Sequence, residues 1–320
     1  MINVEGCCRL CGLSKPLQSS HIIPKFAFDW MKETGPGFLR GSEHPNIRRQ
    51  DGLKEDLLCW DCEQRLGLDE NRFATGIFRP FLGNSKKEIR YSESLIRFAV
   101  SLAWRVLVSE LLRRAILHNG FDDKLSEAEL EWRNYLLGKG QLNNYSRFHM
   151  FLTDVLGSAK QPIRILNQYL TRFTDACIAM SQSDCAIYVK FSRFLFWAEI
   201  TEFDQSVWLG TRIKNGPGIL KTPQFVKDGR FGNFIHHRAK IASEQYWLGI
   251  SERQQNLIDA RFQKNAGLLI GTDFWRSLQA DMEADIDPHS WATGKIDPHE
   301  LCPCGSGKRY DACHGTNGND

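Results

Sequence analysis

The sequence predicts an α+β protein with a metal-binding module near each end. Three observations predict it. The cysteines bunch at Cys8, Cys11, Cys59 and Cys62 and again at Cys302, Cys304 and Cys313. The middle of the chain reads as helices, then strands, then helices, without the strand–helix alternation of a parallel sheet. A chain of 320 residues, 42% hydrophobic and 25% charged, has an ordinary globular composition and length enough for a large core with appended modules. The expected organisation is a cysteine-rich module over 1–82, an α+β body over 83–288, a linker over 289–300 and a short terminal module over 301–315.

Residues 1–82 are rich in Gly, Pro and Cys and carry no long helical period. Within them "CWDCEQRLGLDENRF" is expected to open a helix, because Asp61 and Glu63 place negative charge on its first turn. "SESLIRFAVSLAWRVLVSELLRRAIL" sets Leu95, Phe98, Ala99, Leu102, Val106 and Leu107 at helical spacing. It predicts a long amphipathic helix ending near Asn119-Gly120, and Arg97, Arg105 and Glu110 disqualify it as a membrane span. "LSEAELEWRNYLLGKG" begins with a Ser126-to-Glu129 capping box and predicts a second helix.

The period then changes. "CAIYVKFSRFLFWAEITEFDQSVWLGTRI" alternates apolar and polar residues and is dense in β-branched and aromatic side chains. Ile187, Val189 and Phe191 share one face, as do Val207, Leu209, Thr211 and Ile213, which predicts a three-stranded antiparallel meander closed by "KNGPG". "AKIASEQYWLGISERQQNLIDARFQKN" returns to helical spacing, and the echo "DIDPHS…KIDPHE" brackets the linker. "MINVEGCCRLCG" has no apolar signal-peptide core, so the expected compartment is the cytoplasm.

Net charge is +3, unevenly spread. From Trp208 to Lys240 there are seven basic residues (Arg212, Lys214, Lys221, Lys227, Arg230, Arg238, Lys240) against the single acid Asp228. Such a stretch is either a phosphate-tracking surface or a solvated loop-rich face. Residues 241–290 reverse the sign, with four basic residues against eight acids.

The most specific chemical signal is "CPCGSGKRYDACHG". Cys302, Cys304, Cys313 and His314 make a closed tetrahedral zinc donor set in a segment too short for a hydrophobic core. Near the other end, Cys8-x-x-Cys11 and Cys59-x-x-Cys62 make a complete four-cysteine set. Close spacing in a chain expected in a reducing compartment favours metal ligation over disulfides, while Cys7, Cys177 and Cys185 are read as packing residues. Between the knuckles stands "SSHIIP", whose His21 is a packing imidazole, a spare zinc ligand or the base of a hydrolytic centre.

The C-terminal segment closely resembles the SEC-C motif in all four ligand positions and in the intervening Pro-Cys-Gly-Ser-Gly-Lys. The resemblance implies zinc and docking to protein or nucleic acid. The N-terminal pattern resembles the HNH, or ββα-metal, nucleases in their branch supported by four zinc-binding cysteines, and implies a small treble-clef/ββα module. In that family the His activates water for phosphodiester attack, while a preceding acid and a helix His or Asn hold a divalent cation. Here His21 matches the base, Ser20 stands where the acid is expected and Glu63 where the helix ligand follows the last Cys. Glu63 and Glu70, seven residues apart on one helix face with Asp69 beside Glu70, offer carboxylates for Mg²⁺ or Mn²⁺.

The resemblance thus implies a metal-dependent endonuclease with two structural zinc ions and a place in bacterial defence or mobile-element biology. Arg48 and Arg49 are candidate phosphate contacts in the module, beside Asp51, which precedes a glycine and is read chiefly as a turn residue. Arg212, Lys214, Lys221, Lys227, Arg230 and Arg238 are the candidate nucleic-acid contacts in the body. The different-class alternative is a non-catalytic zinc adaptor, favoured by Ser20. No His-Glu-x-x-His occurs, so a zinc protease is not expected.

Overall fold

A helix whose every side meets protein sets the arrangement of the first structural unit. The computed structural model describes residues 5–284 apart from 85–87, 114–119, 143–147, 157–162, 164, 205, 207 and 223. The chain divides into two compact units, one made of 1–39, 48–153 and 172–231, the other of 40–47, 154–171 and 232–320. The helix Ser94–Leu112 belongs to the first and is buried from Leu95 to Ser109 except at Arg97. The expected amphipathic stripe is therefore corrected to a helix buried all round, with Ser101 and Arg105 inside it. Its expected end near Asn119 lies outside the described residues.

The cysteine-rich segment folds as an antiparallel sheet of Glu5–Cys7, Ser14–His21 and Lys54–Cys59, with the middle strand between the other two. The register shifts between Gln18 and Ser19, where Leu57 of the facing strand is left as an extra, unpaired residue. Leu17 and Ser20, three residues apart, are consequently both buried, whereas a regular strand would turn them to opposite faces. Ile22 and Ile23 enter the core, and Pro24 precedes the helix Lys25–Glu33. The last strand runs directly into the helix Trp60–Phe73, with Asp61 and Glu63 in its first turn as expected. This helix continues through a π-helical stretch, Ala74–Phe78, into Arg79–Asn84.

One hydrophobic core extends from Cys8 through these helices to Leu220, across the expected boundary at residue 82. Phe73 sits deep in it, stacked on Phe98 at 4.2 Å and edge-on to Phe194 at 5.3 Å. The sheet beyond has four antiparallel strands in the order Phe148–Leu152, Phe194–Glu199, Cys185–Phe191, Thr174–Met180. The hairpin of the second and third strands agrees with the expected meander. The third meander strand does not join it, because Phe148–Leu152 occupies that side of the hairpin. Trp208–Leu209 instead pairs with Phe225–Val226. Thr211 and Ile213 are buried, but Leu209 is exposed and Val207 lies outside the described residues.

Nor does the hairpin alternate between core and solvent. Cys185–Phe191 and Phe194–Glu199 are buried at every position, including Lys190. The Lys190 ammonium donates to the Ser192 carbonyl at 2.6 Å, and burial pushes its pKa down to about 7.

Two helix boundaries also differ from expectation. The helix carrying Ser126 spans Asp122–Leu137, so Ser126 lies inside it and donates back to the Asp122 carbonyl at 2.8 Å. Asp122 and Asp123 supply the negative first turn, and Gly138 at φ 73° ends the helix. The stretch expected at helical spacing forms two helices, Gly229–Gly249 and Glu252–Leu269. Ser251 starts the second of them, its hydroxyl accepting from the Gln254 amide at 3.4 Å. A further helix, Asp273–Ala284, brings Asp281 to the Asn167 and Gln168 amides at 2.6 and 2.9 Å.

Phe73→Ala should destabilise the first unit by about 3–5 kcal/mol. Leu130→Ala, at an exposed position of Asp122–Leu137, should fall within about 0.5 kcal/mol of wild type. Urea unfolding followed by tryptophan fluorescence measures both.

Candidate metal centre and adjoining histidine

The first knuckle is a tight turn built by backbone bonds. The Gly12 amide donates to the Cys8 carbonyl at 2.8 Å, and the Cys8 amide to Leu13 at 2.9 Å. Gly12 sits at φ 76°, where a side chain would be strained. The second knuckle is the junction of strand Lys54–Cys59 with helix Trp60–Phe73, so Cys62 falls on the first helical turn. The Arg9 amide donates to Leu57 at 2.9 Å and the Cys59 amide to the Cys8 sulfur at 3.3 Å, which ties the two knuckles together.

Cys8, Cys11, Cys59 and Cys62 consequently converge, with all four sulfurs within 4.8 Å of one another. Cys11 and Cys59 are 3.9 Å apart at sulfur. A tetrahedral zinc ion with Zn–S bonds of about 2.3 Å needs sulfurs roughly 3.8 Å apart, so the donor set fits zinc. Burial disfavours the Cys8 thiolate, but amide donors from Cys11, Cys59 and Leu10 outweigh it and hold the pKa near 7. Burial and the charge of Cys8 push Cys62 up. A dication would remove that repulsion and let all four thiols ionise. Cys7 is exposed and directs its sulfur to the Gly12 carbonyl at 3.5 Å, outside the cluster.

His21 ends the middle strand, opposite Lys54. Its side chain is 15% exposed, and Nε2 lies 2.8 Å from Asp51 Oδ2. The approach is close but oblique, short of an aligned hydrogen bond. Lys54 Nζ reaches the same carboxylate oxygen at 2.9 Å, and the Gly52 amide donates to its Oδ1 at 2.9 Å. Burial alone would raise the Asp51 pKa. Lys54, His21 and the Gly52 amide together hold it down at about 2.

The two candidate carboxylates differ in their partners. Glu63 accepts a hydrogen bond at 2.8 Å from Ser20, whose side chain the strand irregularity has turned inward. Glu70 instead pairs with Arg105. The same guanidinium donates to the His21 carbonyl at 2.9 Å and to Ser101 at 3.1 Å. Asp69 is buried between Arg72 at 3.2 Å and Arg97 at 2.9 Å. Of these three carboxylates, only Glu63 has no cationic partner among the described residues.

Arg105 carries a structural role that sequence reasoning missed. Its signal was a charge inside an apolar helical run, which has to be neutralised where it is buried.

The candidate phosphate contacts are scattered. Arg48 and Arg49 are exposed, with Arg48 lying 5.0 Å from the Phe38 ring. Arg212, Lys214 and Lys227 are exposed and form no ion pair with a described residue. Lys221 faces Glu88 at 3.8 Å, and Arg230 pairs with Asp184 at 2.9 Å. Arg238 lies on the helix Gly229–Gly249. Cys302, Cys304, Cys313 and His314 lie outside the described residues. Among the described residues no helix is long and apolar enough to cross a membrane.

The family profile described as SEC-C motif matches residues 300–316. The protein translocase subunit SecA of Rickettsia rickettsii (strain Sheila Smith) is 40% identical over 86 residues. That of Rickettsia africae (strain ESF-5) is 41% identical over 86 residues, and that of Rickettsia bellii (strain OSU 85-389) 40% over 85. Each similarity covers 24% of this chain and 9% of the relative. No solved structure matches the chain.

Metal analysis of the purified chain should return two zinc ions, one for each cysteine cluster. Cys62→Ser should release one of them and lower the unfolding midpoint of the first unit. A wild-type content of one would leave one cluster without its ion.

Proposed function

We propose that the N-terminal module is an HNH-type, zinc-supported nuclease centre that hydrolyses phosphodiester bonds in nucleic acid, with His21 as general base. The observation that carries this reading is the hydrogen bond from Ser20 to Glu63, 2.8 Å long, which brings the residue preceding His21 against the first turn of the knuckle helix. The paired strands Ser14–His21 and Lys54–Cys59, the second running directly into the helix Trp60–Phe73 at the four-cysteine cluster, support it, as does His21 at the strand end.

Glu63 would hold a divalent cation together with water and substrate phosphate, a mode in which Mg²⁺ needs few protein ligands. When bound, the cation supplies charge stabilisation on the phosphate and the leaving oxygen. The chain's own residues do the rest. Neutral His21 takes a proton from water, and the hydroxide formed adds to phosphorus as the ester P–O bond breaks. The departing oxygen keeps the bonding electrons and takes a proton from solvent, and the imidazolium returns its proton to the hydroxide left behind. Glu70 supports the site through Arg105 instead of facing the cation. Arg48 and Arg49 contact phosphate near the module, and the exposed cations of 208–240 extend that contact. The SEC-C tail docks a protein partner and carries the second zinc.

The second reading is a zinc adaptor that binds nucleic acid or protein without cutting. Ser20 favours it, since a hydroxyl replaces the expected acidic ligand.

Plasmid and single-stranded DNA incubated with Mg²⁺, Mn²⁺ or Ni²⁺ should be nicked by the wild type. His21→Ala should cut about 10²- to 10⁴-fold more slowly with zinc content unchanged. Cleavage that survives in the variant removes His21 as base, and salt-sensitive binding without cleavage by the wild type establishes the adaptor. Reversing charge at Arg212, Lys214 and Lys227 should flatten the log–log dependence of binding on salt, by roughly one unit of slope for each phosphate no longer engaged. An unchanged slope removes this segment from the interface.

A further inference from the structure

His21 is fixed from several directions, and only one ring nitrogen is left available. Its carbonyl is held by Arg105 at 2.9 Å, and the following amide, that of Ile22, donates to Leu53 at 3.1 Å. Its ring stacks on Phe28 with centroids 6.5 Å apart. Nε2 is sealed from solvent against Asp51, whereas no described residue hydrogen-bonds Nδ1.

Asp51 is itself tightly placed. A Cβ at Gly52 would collide with the Phe28 ring, so the backbone after Asp51 rests directly on the ring that stacks under His21. Lys54, opposite His21 in the strand register, and the Gly52 amide also hold the carboxylate. Asp51 is thereby kept ionised throughout the range in which a histidine base works. An anionic acceptor at one imidazole nitrogen selects the tautomer that is protonated there.

We propose that Asp51 is the positioning residue of the His21 base, holding the imidazole protonated on Nε2 so that Nδ1 takes the proton of the attacking water. The inference rests on the reading of His21 as general base and adds the nitrogen that acts and the group that selects it. The water O–H electron pair becomes the nucleophilic lone pair of hydroxide, and the proton goes to Nδ1. The resulting imidazolium carries its second N–H toward Asp51, whose charge offsets it. The oblique contact seen here tightens once the ring becomes cationic.

Two readouts on the full chain test it. The first is the ¹⁵N spectrum of the His21 ring, assigned by difference from His21→Ala, in the wild type and in Asp51→Asn and Asp51→Glu. The second is the kinetics of plasmid cleavage with Mn²⁺. Expected are an Nε2-protonated His21 in the wild type and loss of that bias in Asp51→Asn. The same variant should lose on the order of 10²-fold in kcat with KM unchanged, and Asp51→Glu should restore part of both. An Nδ1-protonated His21 in the wild type overturns the proposal without any variant. So does an Asp51→Asn protein with wild-type kcat and an unchanged ring spectrum. A wild type that cleaves nothing defeats the nuclease reading, and with it Nδ1 as base. The ring spectra then separately decide whether Asp51 sets the tautomer.

Discussion

The buried guanidinium of Arg105 is the interaction on which the arrangement of the first unit depends. It is 1% exposed, halfway along a helix whose buried side chains are mostly apolar. A charge in that position costs several kcal/mol unless it is paired and its donors are satisfied. Its two terminal nitrogens are held by three different elements, the Glu70 carboxylate, the His21 carbonyl and its own helix at Ser101, while Nε is buried without a hydrogen-bond partner among the described residues. The end of the histidine strand and the last turn of the knuckle helix are thus tied to one point of the central helix. Removing Arg105 alone would leave Glu70 and the His21 carbonyl without that donor, a larger loss than trimming an equal volume of hydrocarbon.

The four-cysteine cluster, whose donor set fits zinc, lies at the opposite end of the same strand and helix. Cys11 precedes the strand Ser14–His21 by a short turn, and Cys62 lies on the first turn of the helix that carries Glu70. The cysteine cluster and the guanidinium therefore stand at two ends of one strand–helix layer, with Phe73 continuing it into the aromatic core. The segment has little room for a core of its own, so it borrows one from the central helix and the four-stranded sheet. This is why the hydrophobic core passes through residue 82 without a break.

What could be read from the sequence follows the range of the interactions involved. The Cys-x-x-Cys knuckles and the acidic first turn of Trp60–Phe73 were legible because each is a short local pattern. The hairpin from Cys185 to Glu199 was legible for the same reason. The burial of Lys190 was not, since it depends on the hairpin being covered on both faces. The third strand of the meander was misplaced because Phe148–Leu152, remote in sequence, takes its position. At the site, His21 and Glu63 were legible as residue types at motif positions. Their partners Ser20, Asp51 and Arg105 were not, because a hydroxyl, a turn aspartate and a helical arginine acquire their roles only through tertiary contacts. Nothing in local spacing distinguishes Glu70, tied to Arg105, from Glu63, which has no cation beside it among the described residues.

The irregularity between Gln18 and Ser19 has a consequence for how this segment tolerates change. Leu57 on the facing strand is the extra residue: pairs on one side of it count from Cys59, and pairs on the other side count from Lys54. Chain length between Lys54 and Cys59 is therefore constrained to the residue. Removing Leu57 would restore a regular pleat, in which Leu17 and Ser20 would turn to opposite faces of the sheet, with the cysteine cluster intact. Such a chain would bind its metal and fold around it, yet hold its polar side chains on the wrong side of the strand. Metal content and a correctly assembled site are thus separable properties of this small sheet, and the separation rests on a single extra residue.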